Sequence, residues 1–165
     1  MKRIIAATLL ALWLVASIGS AAFAVSGYVA IGGLMHNGIP DGHAHPIVTG
    51  EIALSDRFVV TAAKLLDDSD LRIGVRYGAG TGVFGDLYIY SEAINAIEVG
   101  VFFERSLSDR LDVRAMIAAA GTIFEDEWFV IPQAIIGVRY DLAGPLAVVG
   151  EISYAAAGIG IAYEF

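Results

Sequence analysis

The chain has 165 residues, room for one domain. It contains no cysteine, so a secreted domain of this size would lack the usual disulfide staples. Its formal charge of −8 argues against nucleic acid as a partner, because little would neutralise phosphate.

At the N-terminus, Lys2 and Arg3 form a basic start and Ile4 to Ile18 a short apolar stretch. Ala22-Phe23-Ala24 then supplies an A-x-A site. That order predicts a signal peptide over residues 1–24, cut after Ala24, and a domain over 25–165. A transmembrane helix needs roughly 20 apolar residues and usually a charged stop, whereas small residues follow here. Residues 25–165 then carry 8 basic and 18 acidic side chains, a balance that by itself suggests a soluble protein.

Hydropathy points the other way. The chain is 57% hydrophobic with a mean hydropathy of +0.69, and the N-terminal stretch accounts for only part of this. Past Ala24 there is no uninterrupted run of about 18 apolar residues. A chain without spanning helices can satisfy its backbone in lipid only as a closed barrel. An unusually apolar β-sandwich is the alternative.

In chain order, the segments after a long outer loop at His36 to Pro46 alternate with the two-residue period of a strand. Val48, Ile52 and Leu54 oppose Thr49, Glu51 and Ala53. Leu71, Ile73, Val75 and Tyr77 oppose Arg72, Gly74 and Arg76. Ile97, Val99, Val101 and Phe103 oppose Ala96, Glu98, Gly100 and Glu104. Leu111, Val113, Ala115 and Ile117 oppose Asp112, Arg114, Met116 and Ala118. Ile136, Val138 and Tyr140 oppose Gly137, Arg139 and Asp141. Leu146, Val148, Ile152 and Tyr154 oppose Ala147, Glu151 and Ser153. The last segment sets Ile159, Ile161, Tyr163 and Phe165 against Gly158, Gly160, Ala162 and Glu164. Alternation is blurred over 58–66 and 83–91.

A soluble sheet with one wet face alternates too. Two features favour lipid outside. Tyr77, Phe103, Tyr140, Tyr163 and Phe165 fall at one set of strand ends, and Tyr88, Tyr90 and Tyr154 near the other, as aromatic girdles do. The last strand also ends on Phe165, with Tyr163, Ile161 and Ile159 behind it. In this the chain resembles the bacterial outer-membrane β-barrel family, and in particular the small barrels related to the outer-membrane protein A transmembrane domain. The resemblance implies a Gram-negative outer-membrane location and outer-membrane lipid and lipopolysaccharide as surroundings. It also implies recognition of the terminal strand by the barrel-assembly machinery.

The expected fold is an all-β, antiparallel up-and-down transmembrane β-barrel acting as a monomer. Inner turns are expected at Ser55 to Arg57, Gly78 to Gly82, Ser106 to Arg110 and Asp141 to Pro145. Outer ones are expected at His36 to Pro46, Asp67 to Asp70, Ser91 to Ile94, Gly121 to Phe129 and Ala156 to Gly158. Nine connections make ten strands; eight remain if two short strands merge or detach.

The lumen is then expected to hold Glu51, Asp86, Glu98, Glu104, Asp112, Glu151 and Glu164 with Arg72, Arg76, Arg114 and Arg139. Charges in so narrow a space must pair to offset desolvation, and Arg forks between carboxylates do this well. A plugged lumen is the favoured expectation, and a narrow cation-leaning pore for small solutes the alternative. Inward Gly74, Gly137, Gly160 and Ala162 leave some room.

His36, Asp41, His43 and His45 form a weak candidate for zinc or copper in a Gly/Pro loop. A solvated loop without metal is the expectation, and no cofactor is implied. Some outer-membrane barrels are lipid-modifying enzymes, but no serine stands beside these histidines, and Ser91 next to Glu92 reads as a turn residue. Gly78 to Gly82 is no phosphate loop, because no lysine follows. The acidic, aromatic stretch Gly121 to Phe129 offers either a surface contact patch or girdle residues with acids facing water. No catalytic activity is expected. The role expected is structural or one of surface interaction in the envelope.

Overall fold

The computed structural model describes residues 26–36, 44–90, 93–124 and 127–165. The expected signal peptide and its cut site lie outside them. Ten strands follow one another: β1 Ser26–His36, β2 His45–Ser55, β3 Phe58–Leu65, β4 Leu71–Ala79, β5 Thr81–Tyr90, β6 Ala93–Ser108, β7 Leu111–Phe124, β8 Glu127–Asp141, β9 Leu146–Ser153 and β10 Ala156–Glu164. Each pairs antiparallel with the next, and β1 pairs with β10 from Tyr28↔Glu164 to His36↔Ala156. The barrel is closed, up-and-down and ten-stranded. Closure leaves no strand without neighbours on both sides, the usual answer to the hydrogen-bonding demand of a sheet edge.

The side-chain period explains the placement of the apolar residues. Ile73, Val75 and Tyr77 on β4, Val99, Val101 and Phe103 on β6, and Ile159, Ile161 and Tyr163 on β10 all project outward and are exposed. β-Branched and aromatic residues suit such a pleated surface. Arg76, Asp86, Glu98, Ala147 and Ala162 are buried inside. The outer wall is thus largely apolar, and Arg76, Asp86 and Glu98 are enclosed.

β3 and β5 form strands despite their blurred alternation, because their inward positions are themselves partly apolar. Ala63 and Leu65 of β3 and Phe84 of β5 are buried in the interior. Register also shifts between Tyr88 and Ile89, where a bulge disturbs the pattern near the end of β5.

Several connections differ from the expected turns. Gly121 to Phe129 is mostly paired strand, with Gly121↔Val130, Thr122↔Phe129, Ile123↔Trp128 and Phe124↔Glu127 in register. Cross-strand pairing carries β7 and β8 beyond the sequence signal that suggests a loop. Ala93 and Ile94 already belong to β6, and Ala156 to Gly158 to β10, which pairs as far as His36↔Ala156. The β4–β5 turn tightens to a single residue between the strands, Gly80, at φ +69°. Gly78 stands at φ +143°, and a Cβ there would lie 2.3 Å from the Thr81 carbonyl oxygen, so both positions call for glycine.

Candidate functional site

The barrel encloses a cavity of about 1130 Å³. It is lined from the end holding Ser26 and Gly80 to the end holding Asn95 and Ser153. Every acid and base expected in the lumen is found on its wall.

Near the end where β1 begins and β10 finishes, Glu51 of β2 is the hub. Its Oε1 accepts a hydrogen bond from Arg114 Nη1 at 3.0 Å, and its Oε2 accepts one from Arg76 Nη2. Arg114 also donates Nε to Glu104 Oε2 at 3.0 Å, its direct cross-strand neighbour. The Arg76 guanidinium lies 5.9 Å from the centroid of the Phe102 ring, within cation–π range. At the rim, Arg139 pairs with Asp141 at 3.0 Å and with Glu164, while Ser106 donates to Asp112 at 2.6 Å.

A second layer lies toward the opposite end. Arg72 precedes Arg76 by four residues on β4, roughly 13 Å along an extended strand. It pairs with Glu151 of β9 at 3.5 Å. Tyr88 donates its hydroxyl to Glu98 Oε2 at 2.6 Å. Tyr88 was expected in the outer girdle. It turns inward because it shares the lumen side of β5 with Phe84 and Asp86.

The strand order gives these pairs their meaning. β2 and β7 stand five strands apart whichever way the barrel is followed, and so do β4 and β9. Glu51–Arg114 and Arg72–Glu151 are therefore diametric braces, each tying opposite walls at its own level. Arg presents a planar fork of donors, so one guanidinium can hold two carboxylates at once, as Arg114 does.

The lumen is not uniformly polar. Phe84, Phe102, Met116, Ala118 and Ile135 form a buried cluster on β5 to β8, and Ala30, Ala147 and Ala162 another around the β1–β10 seam. Of these large residues the sequence alternation marks Met116 alone as inward. The signal for Phe84 and Phe102 was present in the parity of their strands: Phe102 alternates with Val101 and Phe103 and shares the face of Glu98.

The metal candidates fall only partly within the described residues. Asp41 and His43 lie outside the described residues, His36 closes β1, and His45 Nδ1 sits 2.9 Å from Asp67 Oδ2. Among the described residues no group of three His, Cys, Asp or Glu could hold a metal ion. Ser91 and Glu92 also lie outside the described residues. Tyr77, Phe103 and Tyr140 project outward near the end where β1 begins, and Tyr154 is exposed at the β9–β10 turn. Ile159, Ile161, Tyr163 and Phe165 line the outer face at the barrel's seam, where Phe165 and Gly27 exchange two backbone hydrogen bonds of 3.0 and 3.1 Å.

No protein-family model matches the chain, and no curated protein matches it in sequence. Among solved structures it is similar to a de novo designed transmembrane β-barrel, at 18% identity over 86% of this chain and 94% of that one, with a TM-score of 0.41. It is also similar to Ail, the attachment invasion locus protein of Yersinia pestis, in complex with the heparin analogue sucrose octasulfate. There the identity is 9% over 86% and 96% of the two chains, with a TM-score of 0.38. Neisserial surface protein A matches at 9% identity over 85% and 94%, with a TM-score of 0.29. At these values the likeness carries no argument, and the fold rests on the strand pairing itself.

Proposed function

We propose that this chain is an integral outer-membrane β-barrel whose lumen is held closed by ion pairs, and that it serves the envelope as a structural or surface-contact element. The observation that carries the reading is Glu51, which joins Arg76 and Arg114 across the barrel. Buried charges of this kind must be paired, and once paired between opposite walls they occupy the path a solute would take. The apolar outer belt supports lipid as its surroundings, and the N-terminal basic and apolar stretch supports export. Lipopolysaccharide would meet the outer rim, and the assembly machinery would read the β10 face ending at Phe165. The reading includes neither a cofactor nor a catalytic step, and takes the barrel as a monomer.

The test is fractionation of the expressed chain. The account expects it in the detergent-extracted membrane fraction, with a gel mobility that shifts on boiling. Recovery in the soluble fraction with no heat-dependent shift would overturn it. A second reading, a narrow cation-leaning pore, is favoured by the cavity of about 1130 Å³ that reaches both rims and by the excess of acids on its wall.

A further inference from the structure

The barrel wall is uneven at the end away from the start of β1 and the finish of β10. β8 pairs with β7 from Glu127 onward, but its pairing with β9 begins only at Ile135↔Ser153. Among the described residues, no strand pairs with the β9-side edge of residues 127–134. Such an edge presents a row of backbone N–H and C=O groups, a template for one more strand. Pro132 lacks an N–H and blunts its lower part, which leaves 127–131 as the usable length.

The side chains beside this edge are apolar on both faces. Trp128 and Val130, on the outward side, are 64% and 74% exposed, and Phe129 and Ile131 are exposed on the other. Consecutive exposed apolar residues of this kind mark an interaction surface.

We propose that residues 127–131 accept an added β-strand from another protein, and this rests on the surface-contact reading above. The backbone edge requires the partner to be extended, and the two apolar faces require apolar side chains on it. In the sequence Glu125, Asp126 and Glu127 immediately precede Trp128, and the whole chain carries a charge of −8, so lysine or arginine at the partner segment's end is complementary. A second copy in the same membrane does not fit. Barrel strands tilt by roughly 40°, and a two-fold axis normal to the membrane makes the two β8 edges cross rather than run side by side. Main-chain bonding then gives affinity and alternate side chains give specificity.

The test embeds the barrel in nanodiscs and titrates a fluorescein-labelled nine-residue peptide of alternating valine and threonine with lysine at both ends. The proposal expects saturable binding, weakened about tenfold or more when alternate peptide amides are N-methylated, since the edge bonds are then lost. Trp128→Lys/Val130→Lys should weaken it comparably while the heat-dependent gel shift stays intact. Equal binding of the N-methylated peptide would mean apolar adhesion only and would overturn the proposal. So would an inserted, heat-shifting barrel that binds no peptide. Failure to insert at all would instead overturn the membrane reading.

Discussion

Asp86 of β5 and Glu98 of β6 face each other directly across the strand pair, both on the lumen side and both buried. Glu98 is 2% exposed, and its Oε1 has no hydrogen-bond partner among the described residues. Like charges directly opposite one another destabilise a sheet, by roughly 0.2–1 kcal/mol for an ordinary pair. Among the described residues Arg72 is the base of this layer, and it pairs with Glu151. The layer therefore holds more acid than base.

Glu98→Gln should accordingly raise stability, by about 0.5–1 kcal/mol, since the amide oxygen can still accept the Tyr88 hydroxyl while one charge is removed. Tyr88→Phe should lower it by about 1 kcal/mol through loss of that bond. Urea unfolding midpoints of the refolded barrel in detergent check both.

At the other layer the sign reverses. Glu51→Ala strands Arg76 and Arg114 beside each other without their shared carboxylate, and the expected loss is about 3 kcal/mol or more. Glu51→Leu combined with Arg114→Met should recover only part of that loss, because one stranded arginine is removed while Arg76 still lacks its carboxylate. The same unfolding measurement, run as a double-mutant cycle, would report a coupling between the two sites.

Gly74 makes room for Asp86: a Cβ at residue 74 would fall 1.6 Å from Asp86 Oδ1 and 2.7 Å from Thr61 Oγ1. Gly74→Ala should force that carboxylate aside and lower stability by about 1–3 kcal/mol, the cost of overpacking. In an Asp86→Ala background the same change should cost much less. Equal costs in both backgrounds would show that the carboxylate is not the obstacle.

Outward and inward positions should respond in opposite ways to charge. Val75→Arg, on the exposed belt, should destabilise the barrel in lipid vesicles by about 2–4 kcal/mol. On a soluble barrel, the same exposed substitution would be close to neutral. Equilibrium folding into vesicles distinguishes the two.

Much of this architecture is legible in the sequence where the two faces differ strongly. On β4 and β6 arginine or glutamate alternates with branched and aromatic residues, and both strands appear where expected. β3 and β5 were blurred because Leu65, Ala63 and Phe84 are inward yet apolar, so period alone could not separate lipid side from lumen side. The sequence of Gly121 to Phe129 reads as a loop because its acids and glycine mask the pairing of residues 121–124 with 127–130. The inward charges are readable one strand at a time. Which of them meet is not, because Glu51 and Arg114 are 63 residues apart and only the closed strand order sets β2 opposite β7.

The most direct test of the closed lumen is the single-channel conductance of the refolded barrel in a planar bilayer. The wild type should insert but stay electrically silent, with discrete steps once both braces are cut in Glu51→Ala/Glu151→Ala. Steady wild-type steps that shrink when Glu98 or Glu151 is neutralised would contradict a closed lumen and establish a cation-leaning pore.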